Sequence, residues 1–417
     1  MLFADYSFWF FLVATLFLVN CMPLISIDQS KNTRILCKIF DEKCTLSRVF
    51  MITSCISFLF IYSNNSSVYP IFALGGLTYI APFIAERFKC RAFILVPIFA
   101  CILTLVYYKY TTLIIEMLSK ITHGNLGEII ASTKIEIGIA PLAISFFTFE
   151  FCHYLIDVYR GKPRIQKVDE FLAFALFFPT LVAGPIKRYN DFLDELRRSS
   201  LKLELEHTVS SFLRIIIGLS KKLFIADPIT KLINDMYADG AMPSLHGLTT
   251  VGFILLLYVR IYIDFSAYSD IAIGCARLFG IRIPENFNFP FIATSISDFW
   301  RRWHISLSSW IRDYLYIPLG GNRKTIIRGI INVCVVMFVA GLWHGAAWNF
   351  ALWGIYHGIG LAIQNTYAKL VPTKSIFSIT HSPLVGFVLT FCFVSIGWVL
   401  FFYPPLNALK IISTLTN

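Results

Sequence analysis

The sequence is poor in charge. Only 15% of its 417 residues are Asp, Glu, Lys or Arg, and 57% are hydrophobic, whereas about a quarter of the residues of a soluble domain are charged. The mean hydropathy is +0.68. This shortage excludes an ordinary soluble domain. Repeated apolar runs near the length of about 20 residues that spans a bilayer predict an all-α polytopic membrane protein.

The signatures of several common active sites are missing. There is no Gly-rich phosphate loop, no G-x-S-x-G elbow and no pair of carboxylates at helical spacing near an obvious cleft. The ten cysteines are scattered, without a C-x-x-C pair or a His at metal-ligand spacing. We therefore predict no metal and no bound cofactor, and we expect the cysteines to be small buried hydrophobic residues.

The net charge of +11 is carried by Lys and Arg in short segments between apolar runs. In that position anionic lipid headgroups are nearer partners than nucleic acid, so we predict no nucleic-acid binding. The first apolar run, Tyr6–Ile27, lacks a basic segment before it and a convincing cleavage site. It is expected to be a retained anchor.

Five apolar runs of about the length of a crossing helix fill the first 160 residues. Lys and Arg are frequent after the first, third and fifth runs and rare after the second and fourth, which predicts an outside N-terminus by the positive-inside rule. The predicted spans are Tyr6–Ile27, Arg48–Ser63, Val68–Glu86, Ala92–Tyr110 and Ile135–Tyr159.

The pattern is less regular after Tyr159. Phe171–Ile186 is interrupted by Pro179 and Gly184-Pro185, which predicts a broken or half-crossing element. Four further segments are assigned from composition and length: an exposed loop or surface helix at Asn190–His207, an interfacial helix at Ser210–Ile225, room for two crossings at Leu248–Phe279, and a last run at Leu384–Tyr403.

About eleven transmembrane or re-entrant helices are expected, with interfacial helices beside them. The absence of an obvious internal repeat weakens a transporter interpretation. We treat the chain as one membrane-embedded domain, 1–417, with N-terminal helices (1–160), broken and interfacial helices (161–246), a catalytic core (247–364) and a C-terminal helix (365–417).

An amphipathic pattern runs through Ser297–Pro318. At 100° per residue Trp300, Trp303 and Leu307 share an apolar face, His304 lies at its edge, and Arg and Asp lie opposite. The pattern predicts one interfacial helix that ends at Pro318 and Gly320-Gly321. Such a helix is either a plain anchor with an incidental His or part of a site.

Between Arg328 and Lys369 there is no charged residue, but the run contains His344 and His357. It could form two short crossings, or one crossing and a re-entrant piece. His344, in GLWHGAAW, lies among small residues with Trp343 and Trp348 as apolar walls. A titratable group inside a membrane indicates function by default, with a packing role as the alternative. His357 lies in a G-x-x-x-G context that favours helix packing.

The acidic and amide candidates have weaker support. Asp264 and Asp270 either line a polar funnel or pair with Arg260 or Arg277. The loop Pro284–Phe291 offers Asn286 and Asn288 to a ligand or uses them in a turn. Five other histidines have no supporting context: His123, His153, His207, His246 and His381.

A buried His suits general-base activation of a hydroxyl or thiol, because its unperturbed pKa is near 6.5. From the residues alone, the chain is a membrane enzyme or a transporter with a buried base.

Three strings carry a family resemblance: YIDFSAYSDIAIGCARLFGIRIPENFNFPF, SDFWRRWHISLSSWIRDYLYIPLGGNR and GLWHGAAWNFALWGIYHG. They resemble the membrane-bound O-acyltransferases, most closely the bacterial alginate O-acetylation branch. The shorter strings YYKY and LVAGPIKRY fit the same family.

The resemblance implies a ring of helices around a thinned core with a central tunnel, to which an acyl thioester, acetyl-CoA or an acyl carrier protein, is presented from the cytoplasmic side. It implies that His344 is the catalytic histidine and His304 its second site residue. Trp303, Trp343 and Trp348 would wall the chamber, and Asp264, Asp270, Asn286 and Asn288 would orient polar parts of the substrates.

The resemblance also implies a place and partners. We expect a multi-pass protein of the bacterial inner membrane that O-acylates a cell-envelope or exported polysaccharide, with a periplasmic serine-type acetyltransferase or a polysaccharide assembly complex as partner. The alternatives are D-alanyl transfer from a carrier protein to teichoic acid, and a transporter or scaffold subunit without chemistry of its own.

Overall fold

Helices make up the regular secondary structure of the computed structural model. It describes residues 5–21, 46–63, 65–122, 139–199, 205–236, 245–323, 325–371 and 382–416, and no strand occurs in these ranges. The predicted all-α class is therefore confirmed. The basic loop after the first run, including Lys31 and Arg34, and the residues His123 and His381 lie outside the described residues.

The first half of the chain forms nine of the helices. They are α1 Tyr6–Cys21, α2 Leu46–Tyr62, α3 Tyr69–Arg87, α4 Leu95–Leu105, α5 Thr111–Ile121, α6 Ile144–Tyr159, α7 Val168–Leu176, α8 Phe178–Leu181 and α9 Tyr189–Arg198. A π-helical turn, Val106–Tyr110, joins α4 to α5, so the predicted span ending at Tyr110 continues as helix to Ile121.

The second half contains the remaining helices. They are α10 Leu205–Lys221, α11 Asp227–Met236, α12 Leu248–Leu278, α13 Ile296–Arg302, α14 Ile305–Ile311, α15 Ile326–His344, α16 Trp348–Leu370, α17 Pro383–Phe402 and α18 Pro405–Ser413. Further π-helical turns follow α10 and α14, at Lys222–Ala226 and Arg312–Tyr316.

Four helical stretches in the described residues are long and apolar enough to cross a membrane. They are Arg91–Ile121, Leu248–Leu278, Ile326–His344 and Pro383–Phe402, and two shorter apolar helices cover Tyr6–Asn20 and Ser47–Tyr62. The chain is thus a membrane protein with several spans. The count of eleven elements and the central tunnel stay predictions.

The expectation of two crossings between Leu248 and Phe279 is wrong, because α12 is one unbroken helix of 31 residues. At 1.5 Å per residue it is about 46 Å long, more than the roughly 30 Å of bilayer hydrocarbon. Its interior charges do not break it because they have partners: Lys222 binds Asp264, and Arg260 lies 4.8 Å over the Phe402 ring.

The predicted break in Phe171–Ile186 is confirmed. α7 ends at Leu176, Phe177 has a ψ of 95°, and a single helical turn follows before the chain becomes extended. Pro179 lies in the first turn of α8, where a missing N–H has no cost. Phe177 and Phe178 are both buried.

The chain divides into two compact units. The first comprises residues 1–216 and 270–284. Its core holds buried ion pairs, Arg48–Asp169 at 2.8 Å and Lys187–Glu150 at 2.6 Å, the latter with both side chains at most 5% exposed. Buried charges need such partners, because one left unpaired would be strongly destabilising.

The expectation of buried cysteines is wrong at Cys90 and Cys392, which are exposed.

The second unit comprises residues 217–269 and 285–417. The uncharged stretch forms two helices in it, α15 and α16, packed closely through glycines. A Cβ at Gly354 would overlap the Met337 carbonyl oxygen, and one at Gly358 would lie 2.9 Å from Cys334 Cα. The packing predicted from the G-x-x-x-G spacing is thereby confirmed. An aromatic core around Trp303, Trp353 and Trp398 lies beside this pair.

Candidate active site

His304 lies at a break between two short helices. α13 ends at Arg302 and α14 begins at Ile305, and His304 has φ 44° and ψ 52°, a left-handed conformation. The single amphipathic helix predicted here, with His304 at the edge of its apolar face, is therefore wrong. The residue is 3% exposed. A non-glycine residue in this conformation costs about 1–2 kcal/mol, and such strain is concentrated at functional sites.

Asn286 holds the break in place. Its main-chain carbonyl accepts from the Ile305 N–H at 2.9 Å. Its side-chain Oδ1 accepts from the Ser306 hydroxyl at 2.6 Å, and its Nδ2 donates to Ser269 Oγ at 3.1 Å. Asn286 is 1% exposed. It therefore orients the chain around His304.

Asn288 supports the same loop with its main chain. Its N–H donates to the Arg302 carbonyl at 3.0 Å, and Arg302 Nη1 donates to the Asn288 carbonyl at 3.3 Å. The residue itself is exposed. The loop Pro284–Phe291 thus braces both sides of the break, with one buried and one exposed asparagine.

His344 is the last residue of α15 and is partly buried. Its ring is edge-on to Trp353 at 5.4 Å and to Phe401 at 5.2 Å, and lies 6.4 Å from the Phe350 ring. Gly345 makes this packing possible, since a Cβ there would overlap Phe350.

Burial and the neighbouring His344 both affect the pKa of His304. Burial, and secondly the charge of the nearby His344, holds the pKa of the His304 imidazole well below its usual value. His304 lies outside the four helices that could cross the membrane. Its ring is edge-on to Phe265 at 4.6 Å, and Nδ1 has no hydrogen-bond partner among the described residues. His304 is thus neutral at neutral pH.

The other predicted site residues are spread over several environments. Trp303 is 3% exposed and lies 4.9 Å from the Trp398 ring, and Trp343 is 8% exposed on α15. Trp348 is exposed at the start of α16. That the three tryptophans wall one chamber stays a prediction.

The two aspartates form ion pairs. Lys222 donates to Asp264 at 2.7 Å in the second unit, and in the first unit Arg214 donates to Asp270 at 3.1 Å. Both aspartates are therefore ion-paired, with Lys222 and Arg214 as partners, and the predicted pairing with Arg260 or Arg277 is not confirmed.

His357 is fully buried on α16. Its ring packs against Trp353 at 4.9 Å, Trp300 at 5.3 Å and Phe393 at 5.3 Å, and neither ring nitrogen has a hydrogen-bond partner among the described residues. The Trp353 ring contacts both His344 and His357, and thus connects the two histidines.

A cavity of about 440 Å³ opens beside this centre, within the range of ligand sites. Its apolar floor consists of Val333, Val336, Met337 and Ala340 of α15 and Leu361 of α16. Its polar lining consists of Ser297, Arg301, Ser308, Ser309, Arg312, Asn322 and Asn365. Trp300 forms part of the wall and contacts both Trp353 and His357.

Sequence reasoning missed Phe350, Trp353 and Phe401, the rings that surround His344. The first two lie in the same uncharged stretch and were available as candidates. Phe401 was not, because its contact depends on the packing of α17. The resulting arrangement, two histidines in an aromatic core beside a cavity, suits proton transfer in a site of low polarity.

Comparison with known proteins points to one family. The family model of MBOAT, membrane-bound O-acyltransferase, matches residues 88–403. A probable alginate O-acetylase of Azotobacter vinelandii is 40% identical over 300 residues, which are 71% of this chain and 56% of that protein. A similar protein of Pseudomonas aeruginosa is also 40% identical, over 71% of this chain and 54% of its own length.

Two relatives have other acceptors in their names. A peptidoglycan O-acetyltransferase of Helicobacter pylori is 33% identical, over 77% of this chain and 64% of that protein. A teichoic acid D-alanyltransferase of Bacillus subtilis is 30% identical, over 64% of this chain and 70% of that protein. The chain spans little more than half the length of the alginate relatives.

Proposed function

The chain belongs to the membrane-bound O-acyltransferase family, and from this membership we propose that it transfers a short acyl group from a thioester to a hydroxyl. The family resemblance noted in the sequence is thereby confirmed. The proposed reaction takes place at a bacterial inner membrane and serves O-acylation of a cell-envelope or exported polysaccharide.

The observation that carries the proposal is His344 at the end of an apolar helix, in contact with Trp353, whose ring packs on Trp300 in the cavity wall. In the reaction His344 takes the proton of the attacking hydroxyl. The oxygen–carbon bond forms, the carbon–sulfur bond breaks, and His344 returns the proton to the leaving thiolate. General-base help of this kind contributes about 10²–10⁴-fold to a rate.

His304 is proposed to assist through its neutral ring. A neutral imidazole has one donor and one acceptor nitrogen, and His304 Nδ1 has no partner among the described residues. It is therefore available to hydrogen-bond a reacting group beside His344, while its strained main chain is held by Asn286.

The cavity next to α13 and α14 is proposed to admit the donor. Its apolar floor suits the thin arm of a pantetheine thioester, and Arg301 and Arg312, 69% and 62% exposed, suit donor phosphates at the rim. Acetyl-CoA and an acyl carrier protein both have this arm. The donor is a substrate, and we propose no resident cofactor or metal.

The acceptor is proposed to be a polysaccharide hydroxyl, reached directly or through a periplasmic serine-type acetyltransferase. Most of the relatives reported above carry O-acetylation of alginate or peptidoglycan in their names. The D-alanyltransferase of Bacillus subtilis keeps D-alanyl transfer as the competing outcome.

The test uses purified protein in nanodiscs with labelled acetyl-CoA or labelled D-alanyl carrier protein on one side and polysaccharide on the other. We expect acetyl label in ester linkage to the polysaccharide, or to an added partner, and no transfer by the His344→Gln variant. D-alanyl transfer would redirect the substrate assignment. Passage of an intact small molecule, without thioester cleavage, would overturn the enzyme in favour of a transporter.

A further inference from the structure

Three buried indole nitrogens of the second unit have no hydrogen-bond acceptor in the part of the chain that the structure describes. Nε1 of Trp300, Trp353 and Trp398 has no partner among the described residues, and Trp353 and Trp398 are each 1% exposed. An indole nitrogen can only donate. A buried donor without an acceptor is destabilising, so each of these groups needs an explanation.

Trp353 differs from Trp398 in what its ring contacts. The Trp353 ring lies edge-on to His344, with centroids 5.4 Å apart and planes at 88°. The Trp398 ring contacts Tyr258, Trp303, Trp353 and Phe401. The two indoles are therefore matched in burial and in their unpaired N–H groups, but Trp353 is the one that touches the proposed base.

Trp353 also connects His344 with the cavity wall through ring contacts. Its ring packs 5.7 Å from Trp300, which lines the cavity wall. An acyl group that enters along the cavity and reaches His344 must pass close to these rings. The position is suited to a donor that meets the acyl oxygen.

We propose that the Trp353 indole N–H donates a hydrogen bond to the carbonyl oxygen of the acyl group while His344 deprotonates the attacking hydroxyl. This inference rests on the proposed function and assigns Trp353 as a further catalytic residue.

The step balances without a further reactant. As the hydroxyl oxygen bonds to the acyl carbon, the carbonyl π electrons move onto oxygen, and the Trp353 N–H stabilises that charge. When the electrons return, the carbon–sulfur bond breaks and the thiolate takes the proton held by His344. Removing one such donor from an active site typically lowers kcat about 10²–10³-fold, because the donor acts on developing charge in a dry site.

The kinetic test compares Trp353→Phe with Trp398→Phe in the full chain. Both changes remove one buried indole N–H and a similar volume, so loss of packing affects both. We expect kcat to fall about 10²-fold in Trp353→Phe with KM for acetyl-CoA within about twofold of wild type, and to stay within about threefold in Trp398→Phe. Equal losses in the two variants, or wild-type kcat in Trp353→Phe, would overturn the inference.

A spectroscopic test is independent of turnover. Infrared difference spectra of a ¹³C=O-labelled acetyl thioester are recorded on His344→Gln protein, with and without Trp353→Phe. Loss of the hydrogen bond raises the carbonyl stretching frequency, so we expect an upward shift with Trp353→Phe and none with Trp398→Phe. An unshifted band overturns the role of Trp353 alone, whereas an unsubstituted protein that cleaves no thioester overturns the proposed function itself.

Discussion

His304 combines two costs that a merely packing residue would avoid. Its main chain is left-handed, and its imidazole is 3% exposed with Nδ1 unpaired among the described residues. Strain of about 1–3 kcal/mol persists only where the surroundings enforce it. This combination supports the proposed role of His304 beside His344.

The depressed pKa of His304 makes stability depend on pH. In the unfolded chain its pKa is about 6.5, and in the fold burial and then His344 lower it. Below about pH 6.5 the unfolded state binds more protons at this residue than the folded state, so stability falls as pH decreases.

We expect His304→Asn to lose less thermal stability than wild type between pH 7.5 and pH 5.5. The comparison is of the change in Tm in detergent, so a uniform cost of the substitution does not affect it. The same change at the exposed His207 is the control and should leave the pH dependence as in wild type. An unaltered slope in His304→Asn would contradict the buried neutral ring.

At the scale of elements, the important feature is the break between α13 and α14. Helical periodicity continues across Trp303 and His304, so the sequence predicted a single helix there. The break depends on Asn286, 18 positions earlier in the numbering, whose carbonyl and side chain bind Ile305 and Ser306. Local patterns do not contain such a tertiary contact.

We expect Asn286→Ala to impair both folding and activity. The substitution leaves the buried Ser306 hydroxyl without this acceptor and Ser269 without this donor, at a cost of about 1–3 kcal/mol in the free energy of unfolding. It also lets the main chain at His304 leave its left-handed conformation. Tm should fall by several degrees, with kcat reduced. Asn288→Ala is the matched control. Asn288 is exposed, and its hydrogen bonds with Arg302 are made by the main chain, so the substitution leaves them in place. Equal effects of both changes would refute this role.

Elements whose signal is local were predictable. The interrupted run at Phe171–Ile186 and the close packing at Gly354 and Gly358 follow from Pro and Gly chemistry, and both are found. The continuity of α12 was not predictable, because the partner of Asp264 lies on another element. The contact between Phe401 and His344 depends on the packing of α17, so it could not be predicted from the sequence either.

In the whole molecule, the proposed donor path gives Arg301 and Arg312 at the cavity rim a function in binding the phosphates of the donor. Arg312 belongs to the polar lining of the cavity, where it is 62% exposed and forms an ion pair with Asp313 at 2.8 Å. Because an exposed ion pair contributes little to the free energy of unfolding, Arg312 is not needed for stability. A phosphate-bearing donor would gain from its charge, whereas a truncated thioester would not.

We therefore expect Arg312→Glu to raise KM for acetyl-CoA about tenfold or more and to leave kcat/KM for acetyl-N-acetylcysteamine, which lacks phosphates, near wild type. The truncated donor serves as the internal control for folding. Equal losses with both donors would show a structural defect, and no loss with acetyl-CoA would remove Arg312 from the donor site.

In the proposed reaction a single histidine, His344 at the end of the apolar helix α15, acts as the base in acyl transfer. The most direct measurement is single-turnover release of thiol from an acetyl thioester by His344→Ala, with and without imidazole in the buffer. We predict a loss of at least about 10²-fold, with partial recovery on addition of imidazole and unchanged membrane insertion. Transfer at the wild-type rate by His344→Ala would contradict the role of His344 as the base.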